Sequence, residues 1–349
     1  MSAPSQLPSP TSPPIRGNRR RLHRLILTLA AGLSLGTLAA EVIEEVFSED
    51  PLKRGWIPLG NSALAQWNPA LERLDVAWDS SQSNSFFALP LGRQLSRQDD
   101  FEFAFDLELV EHRIGATPGK PGTFQIALGL VNLGSVQNSG FVRGNGTGSN
   151  NLVEWSWFGA DESISASISP AITSTNRPPR WAFRDSYVEL RPGVRYRHRL
   201  QFTADTSTLK LSMTIQGETG PVLESVVLPP SFTDFQVDAF AWNSYSDDGQ
   251  DPRYAGSVFA RGFLDNIRLT LPEPPISSIQ FVGSDSSRVV RFVSRKGWVY
   301  SLEASYDLSE WNAIGSGQAG TGAELELRDL RKALYPQHFF RVRCVRALD

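Results

Sequence analysis

A single cysteine, Cys344, occurs in the chain, so no intrachain disulfide can form and stability has to come from the size of the core. It lies in "HFFRVRCVRA", where Phe340, Val342 and Cys344 share one strand face and arginines fill the other, the setting of a buried, unreactive thiol. Histidine is scarce too. His23, His112, His198 and His338 are scattered, and none belongs to a metal spacing such as His-x-x-x-His. There is no Gly-x-Ser-x-Gly, no P-loop and no Cys–His pair, which removes the common nucleophile-elbow, nucleotide-cradle and thiol chemistries. After Asp50 no amphipathic helix longer than a few turns is present, so helical bundles and alternating α/β folds are excluded. Positive charge is short in the middle of the chain. Residues 41–275 hold nineteen basic and twenty-nine acidic side chains, a poor match for nucleic acid.

The positive charge that is present gathers at the start. Arg16, Arg19, Arg20, Arg21 and Arg24 precede the apolar run Leu25 to Ala40, which suits a signal-peptide core and is short for a spanning helix of about twenty residues. Small residues at Thr37 and Ala39, or at Ala40, suit cleavage there. An uncleaved anchor is the alternative. Arg19-Arg20 resembles a twin-arginine pair, although His23 stands where an apolar residue is wanted. The Pro/Ser-rich stretch before the arginines is expected to be unstructured. We therefore expect residues 1–40 to be a signal peptide with a disordered leader. The mature chain is then secreted, periplasmic or at the cell surface, with no membrane span.

The body reads as strands almost throughout. In "FEFAFDLELV", Phe101, Phe103, Phe105, Leu107 and Leu109 alternate with Glu102, Asp106 and Glu108. Further strand-like runs follow, separated by Gly, Pro, Asn and Asp clusters. The expected fold is all-β: a jelly-roll sandwich over residues 41–271, a Pro-rich linker at 272–277, and a small β-sandwich of six short strands at 278–349. His198 shares a face with Tyr196, Leu200 and Phe202, which predicts a hydrogen-bonded core histidine.

Two features point to ligands. The first is an aromatic supply of nine tryptophans, with Trp242, Asn243 and Tyr245 ending one strand and Glu154, Trp155 and Ser156 within another, just after Asn151. Sugars dock apolar faces on exposed rings while amides and carboxylates bond their hydroxyls. For Trp155 and Trp157, paired with Val153, the plainer reading is that they fill the core. The second is "SDDGQD", in which Asp247, Asp248 and Asp251 surround a glycine and could supply oxygen ligands to calcium. Its spacing departs from an EF-hand, and an acidic surface turn is the plainer reading.

The stretch from Trp298 to Val345 resembles the small C-terminal β-module, fibronectin-like, of many secreted proteins of environmental bacteria. The matching positions are Tyr300, Leu302, Ser305, Asp307, Leu308 and Trp311, and then Phe339, Phe340, Arg341 and Val342. The body resembles the concanavalin A-like lectin/glucanase superfamily. More narrowly, it resembles a bacterial subgroup carrying "WDSSQSNSFFALPLG", "LSRQDDFEFAFDL", "FVRGNGTGSNNLVE" and "SFTDFQVDAFAWNSYSDDGQDP". This resemblance implies a sugar-handling fold without naming an activity.

Retaining glycosidases on this fold use Glu-x-Asp-x-x-Glu, which sets two carboxyls about 5 Å apart on one strand face. In "NLVEWSWFG" Glu154 takes the first position, Ser156 the second, and Gly159 falls where the third acid belongs. One carboxylate remains where two are required. The leading expectation is an exported, non-catalytic, carbohydrate-binding protein. The alternatives are a passive structural or adhesion module, and a degenerate glycoside hydrolase or polysaccharide lyase using Glu154. Strand alternation puts Glu154 on the face opposite Trp155 and Trp157.

Overall fold

The structure, a computed structural model, describes residues 41–143, 148–215, 222–272, 276, 279–284, 287–331 and 339–347. The expected signal peptide, most of the Pro-rich linker and His338 lie outside these residues. Among them, helical conformation is confined to the turn Leu133–Val136 and short 3-10 segments. No helix among them is long and apolar enough to cross a membrane.

Two antiparallel sheets form the body. The first runs in the order Val222–Val227, Thr208–Ile215, Arg195–Thr203, Phe101–Ile114, Val258–Leu271, Arg73–Asp79, Ala65–Asn68, and Glu41–Glu45 also pairs with Val258–Leu271. The second runs Trp181–Phe183, Ser167–Thr173, Leu152–Phe158, Gln125–Val131, Val237–Ser244, Ser85–Leu95, Ile57–Leu59, and Ser186–Tyr187 also pairs with Ser167–Thr173. Each sheet combines strands that follow one another in the chain with pairs joined across long stretches of sequence, such as Phe101–Ile114 with Val258–Leu271 and Gln125–Val131 with Val237–Ser244.

The alternation in Phe101–Ile114 explains how the first sheet faces inward. Phe101, Phe103, Phe105, Leu107 and Leu109 are buried. On the other side Asp106 accepts from Arg197 at 3.0 Å, Glu102 pairs with Arg199 at 2.5 Å and Glu108 with Arg195 at 3.6 Å, all from the neighbouring strand. The inner faces meet through rings: Phe105 and Trp155 at 5.6 Å, Phe103 and Phe240 at 5.7 Å, Trp78 and Trp242 at 5.9 Å.

His198 is a core residue, fully buried between Phe105 and Trp155. The expected hydrogen bonds are not there: neither ring nitrogen has a partner. Burial pushes its pKa down to about 3, with the Arg197 charge adding to the effect. The strand alternation that put the ring inward sets it among Phe105, Trp155 and, across the neighbouring strand, Met213, none of which hydrogen-bonds it.

The C-terminal residues form two three-stranded sheets, Gln280–Ser284, Ser287–Val293 and Glu324–Asp329 in one, Asn312–Ala319, Trp298–Ser305 and Phe339–Arg346 in the other. Their own core is built on Val290, Phe292, Tyr300, Leu302 and Leu327, with Cys344 packed against it. Burial raises the Cys344 pKa to about 11, so its thiol stays protonated at neutral pH.

Candidate ligand-binding site

The strand Leu152–Phe158 pairs without register shift with Gln125–Val131 on one side and Ser167–Thr173 on the other. Alternation therefore runs unbroken. Trp155 and Trp157 point between the sheets, and Glu154, Ser156 and Phe158 point to the outer face. Gly129 stands directly across from Glu154, where a Cβ would lie 2.3 Å from the Val153 carbonyl oxygen. Only glycine admits so close an approach.

Glu154 is fully buried. Its Oε2 accepts from Arg143 Nε at 3.1 Å, and Arg143 Nη2 is also 3.1 Å away. Its Oε1 accepts from Asn243 Nδ2 at 3.0 Å and from the Tyr245 hydroxyl. Burial raises the Tyr245 pKa well above the ordinary phenol value, and the Glu154 charge pushes the same way. Both carboxylate oxygens are thus occupied by donors, and no second carboxyl group is among its partners. Such a group is a charge anchor for the segment that carries Arg143. That segment also buries Phe141, whose ring lies 6.1 Å from Phe86 and 6.0 Å from Tyr245. The strand's outer face at Glu154 is covered, not open.

Beside this covered region the same face opens into a pocket of about 260 Å³. Its floor is made of small side chains on two adjacent strands, Ser156 with Ser167, Ser169 and Ala171. Rings of Trp181 and Phe183 stand at one side and that of Phe158 at another. Arg143 forms part of the wall, its guanidinium 4.3 Å from the Trp181 ring centre. With its oxygen turned to that guanidinium, the Gln125 amide accepts from Arg143 Nε at 2.9 Å and Nη2 at 3.3 Å, which leaves its NH2 group to donate. The Ser156 hydroxyl, 1 % exposed, lines the pocket and has no hydrogen-bond partner. A buried hydroxyl left unpaired costs about 1–3 kcal/mol, which a ligand hydroxyl would recover.

The other residues singled out in the sequence lie elsewhere. Trp242 is in the core, 1 % exposed and packed on Trp78. Asn151 occupies a turn at positive φ, where its Oδ1 accepts from Gln236 N at 3.0 Å and its Nδ2 contacts Ser135 Oγ at 3.3 Å. Asn243 and Tyr245 serve Glu154 and are buried. The acidic turn also divides. Asp247 is buried against the Lys120 ammonium and accepts from Ser80 Oγ at 2.9 Å. Asp248 is 91 % exposed, and Asp251 pairs with Arg253. These three carboxylates do not converge, and no group of three His, Cys, Asp or Glu side chains suited to a metal exists among the described residues.

Sequence reasoning did not single out Arg143, Gln125, Trp181, Phe183 or Asp185. The signal available was "RWAF", an alternating aromatic pair directly after two prolines.

No family model matches the chain, and no curated relative matches it. Among solved structures, it is similar to lectin UEA-II complexed with galactose, at 12 % identity and a TM-score of 0.45, over 67 % of this chain and 99 % of that one. It is also similar to basic winged bean lectin with Tn-antigen, at 10 % identity and 0.38, over 66 % and 100 %. A legume lectin-like domain from Entamoeba histolytica matches at 10 % and 0.37, over 65 % and 95 %. These likenesses concern architecture alone. The chain is an all-β protein whose body is a sandwich of two antiparallel sheets.

Proposed function

We propose that the protein is an exported, non-catalytic carbohydrate-binding protein, and that sugar occupies the pocket over Ser156. The observation that carries this reading is the buried, unpartnered Ser156 hydroxyl on a floor of small side chains beside accessible rings. A pyranose has hydroxyls for the floor and an apolar face for a ring. The non-catalytic reading is supported by the way Glu154 is used: its oxygens hold Arg143, Asn243 and Tyr245, and among the described residues no second carboxyl is bonded to it. The fibronectin-like C-terminal module is an accessory to this binding unit, and the kinship is with secreted bacterial proteins of the same plan. Export rests on the arginine cluster and the apolar run before Glu41.

A glycan-array screen of the purified protein, followed by calorimetry, tests the proposal. Wild type should bind at least one glycan, and Ser156→Ala should weaken it about three- to tenfold, the loss expected for one hydrogen bond. Silence across the array would favour a passive structural module. Hydrolysis of a β-glucan, abolished in Glu154→Gln, would make it a glycosidase. For export, mass spectrometry of the native protein should find an N-terminus near Ala40 or Glu41; an intact leader on a soluble cytoplasmic protein would refute it.

A further inference from the structure

The charges around the pocket do not balance. Arg143 is the cation in its wall, and Glu154, at 3.1 Å, neutralises it from behind. Two opposite charges so close and so buried present little net field to a ligand. Gln125, Ser156 and Ser169 are uncharged. Asp185 is different: it lines the pocket, is exposed, and has no cationic partner among the described residues. Its basic neighbour in sequence, Arg184, is paired instead with Glu224 at 3.1 Å. Phe183, two residues before Asp185, lines the same pocket with 58 % of its surface exposed. A free carboxylate and an accessible ring lining one pocket suit an ammonium group, which the carboxylate attracts and the ring face tolerates.

Resting on the glycan reading above, we propose that the pocket prefers a sugar bearing a free, protonated amine over the unmodified sugar, and the unmodified sugar over its uronic acid. Asp185 sets this order. Arg143 does not reverse it, because its charge is already matched.

The test is calorimetric titration of the full chain with the 2-amino, unmodified and uronate forms of both glucose and galactose. In the series that binds, the amine form should bind about fivefold tighter than the unmodified sugar at low salt, the effect of one screened charge pair. That advantage should shrink in 0.5–1 M salt, on the order of a threefold shorter screening length, and should close in Asp185→Asn. Being exposed, Asp185 can be replaced without disturbing the core. Equal affinity for amine and unmodified forms, or tightest binding of the uronate, would overturn this inference and leave the glycan reading standing. Silence towards all six sugars would overturn this inference, and silence across the glycan array as well would overturn the glycan reading with it.

Discussion

Glu154→Gln isolates the charge of the buried pair from its shape. The amide has the size of the carboxylate and can turn its oxygen to Arg143. Its NH2 group then faces Asn243 and Tyr245. Asn243 can follow by turning its own amide, since its Oδ1 has no partner, and the Tyr245 hydroxyl can accept instead of donate. Hydrogen bonding is therefore recoverable, but the charge is not. Arg143 is 6 % exposed and would keep a guanidinium in the interior without a counter-ion. Removing one member of a buried pair costs about 3–5 kcal/mol. We expect a loss of that size in urea unfolding followed by tryptophan fluorescence, with an unchanged denaturant slope. Replacing Arg143 by methionine in the Glu154→Gln background removes the stranded charge and should recover part of the loss. The double-mutant cycle should show coupling of about 2 kcal/mol or more. A cost below about 1 kcal/mol for Glu154→Gln, the worth of a surface pair, would refute the reading of Glu154 as a buried charge anchor.

His198→Phe tests the unpaired core histidine. The native pKa is lowered to about 3, so the unfolded chain takes up a proton first; the stability is fully present above pH 6.5 and is lost as pH falls towards 3. Relative to wild type, the variant should gain about 2 kcal/mol more at pH 5 than at pH 7.5, and an equal effect at both would show that the ring titrates normally. Gly129→Ala should destabilise by about 2 kcal/mol or more, because its Cβ would meet backbone that cannot move aside; a neutral result in urea unfolding would contradict the close approach at Glu154. Asp247 is already held by Lys120, so the melting temperature should not respond to a chelator or to added calcium; a calcium-dependent rise would show the acidic turn gathering on a cation.

The alternation of side chains determined much of this protein in advance. It set Phe101, Phe103 and Phe105 inward, put Trp155 and Trp157 on one face and Glu154 on the other, and marked off the six C-terminal strands. A period of two residues needs only local geometry, so it is legible in a single sequence. What covers a face is not local. Arg143 reaches Glu154 from an adjoining loop, while Asn243 and Tyr245 come from positions 89 and 91 residues away. Glu154 was therefore visible as an isolated carboxylate, but whether it lined a groove or anchored a loop depended on contacts no spacing encodes. Trp242 and His198 show the same limit. A strand pattern says which way a ring points, and only the opposing sheet decides whether it meets solvent, a ligand or another ring. The pocket is the extreme case, since its floor is made of small serines and an alanine, and what distinguishes them is the space that their neighbours on three strands leave empty.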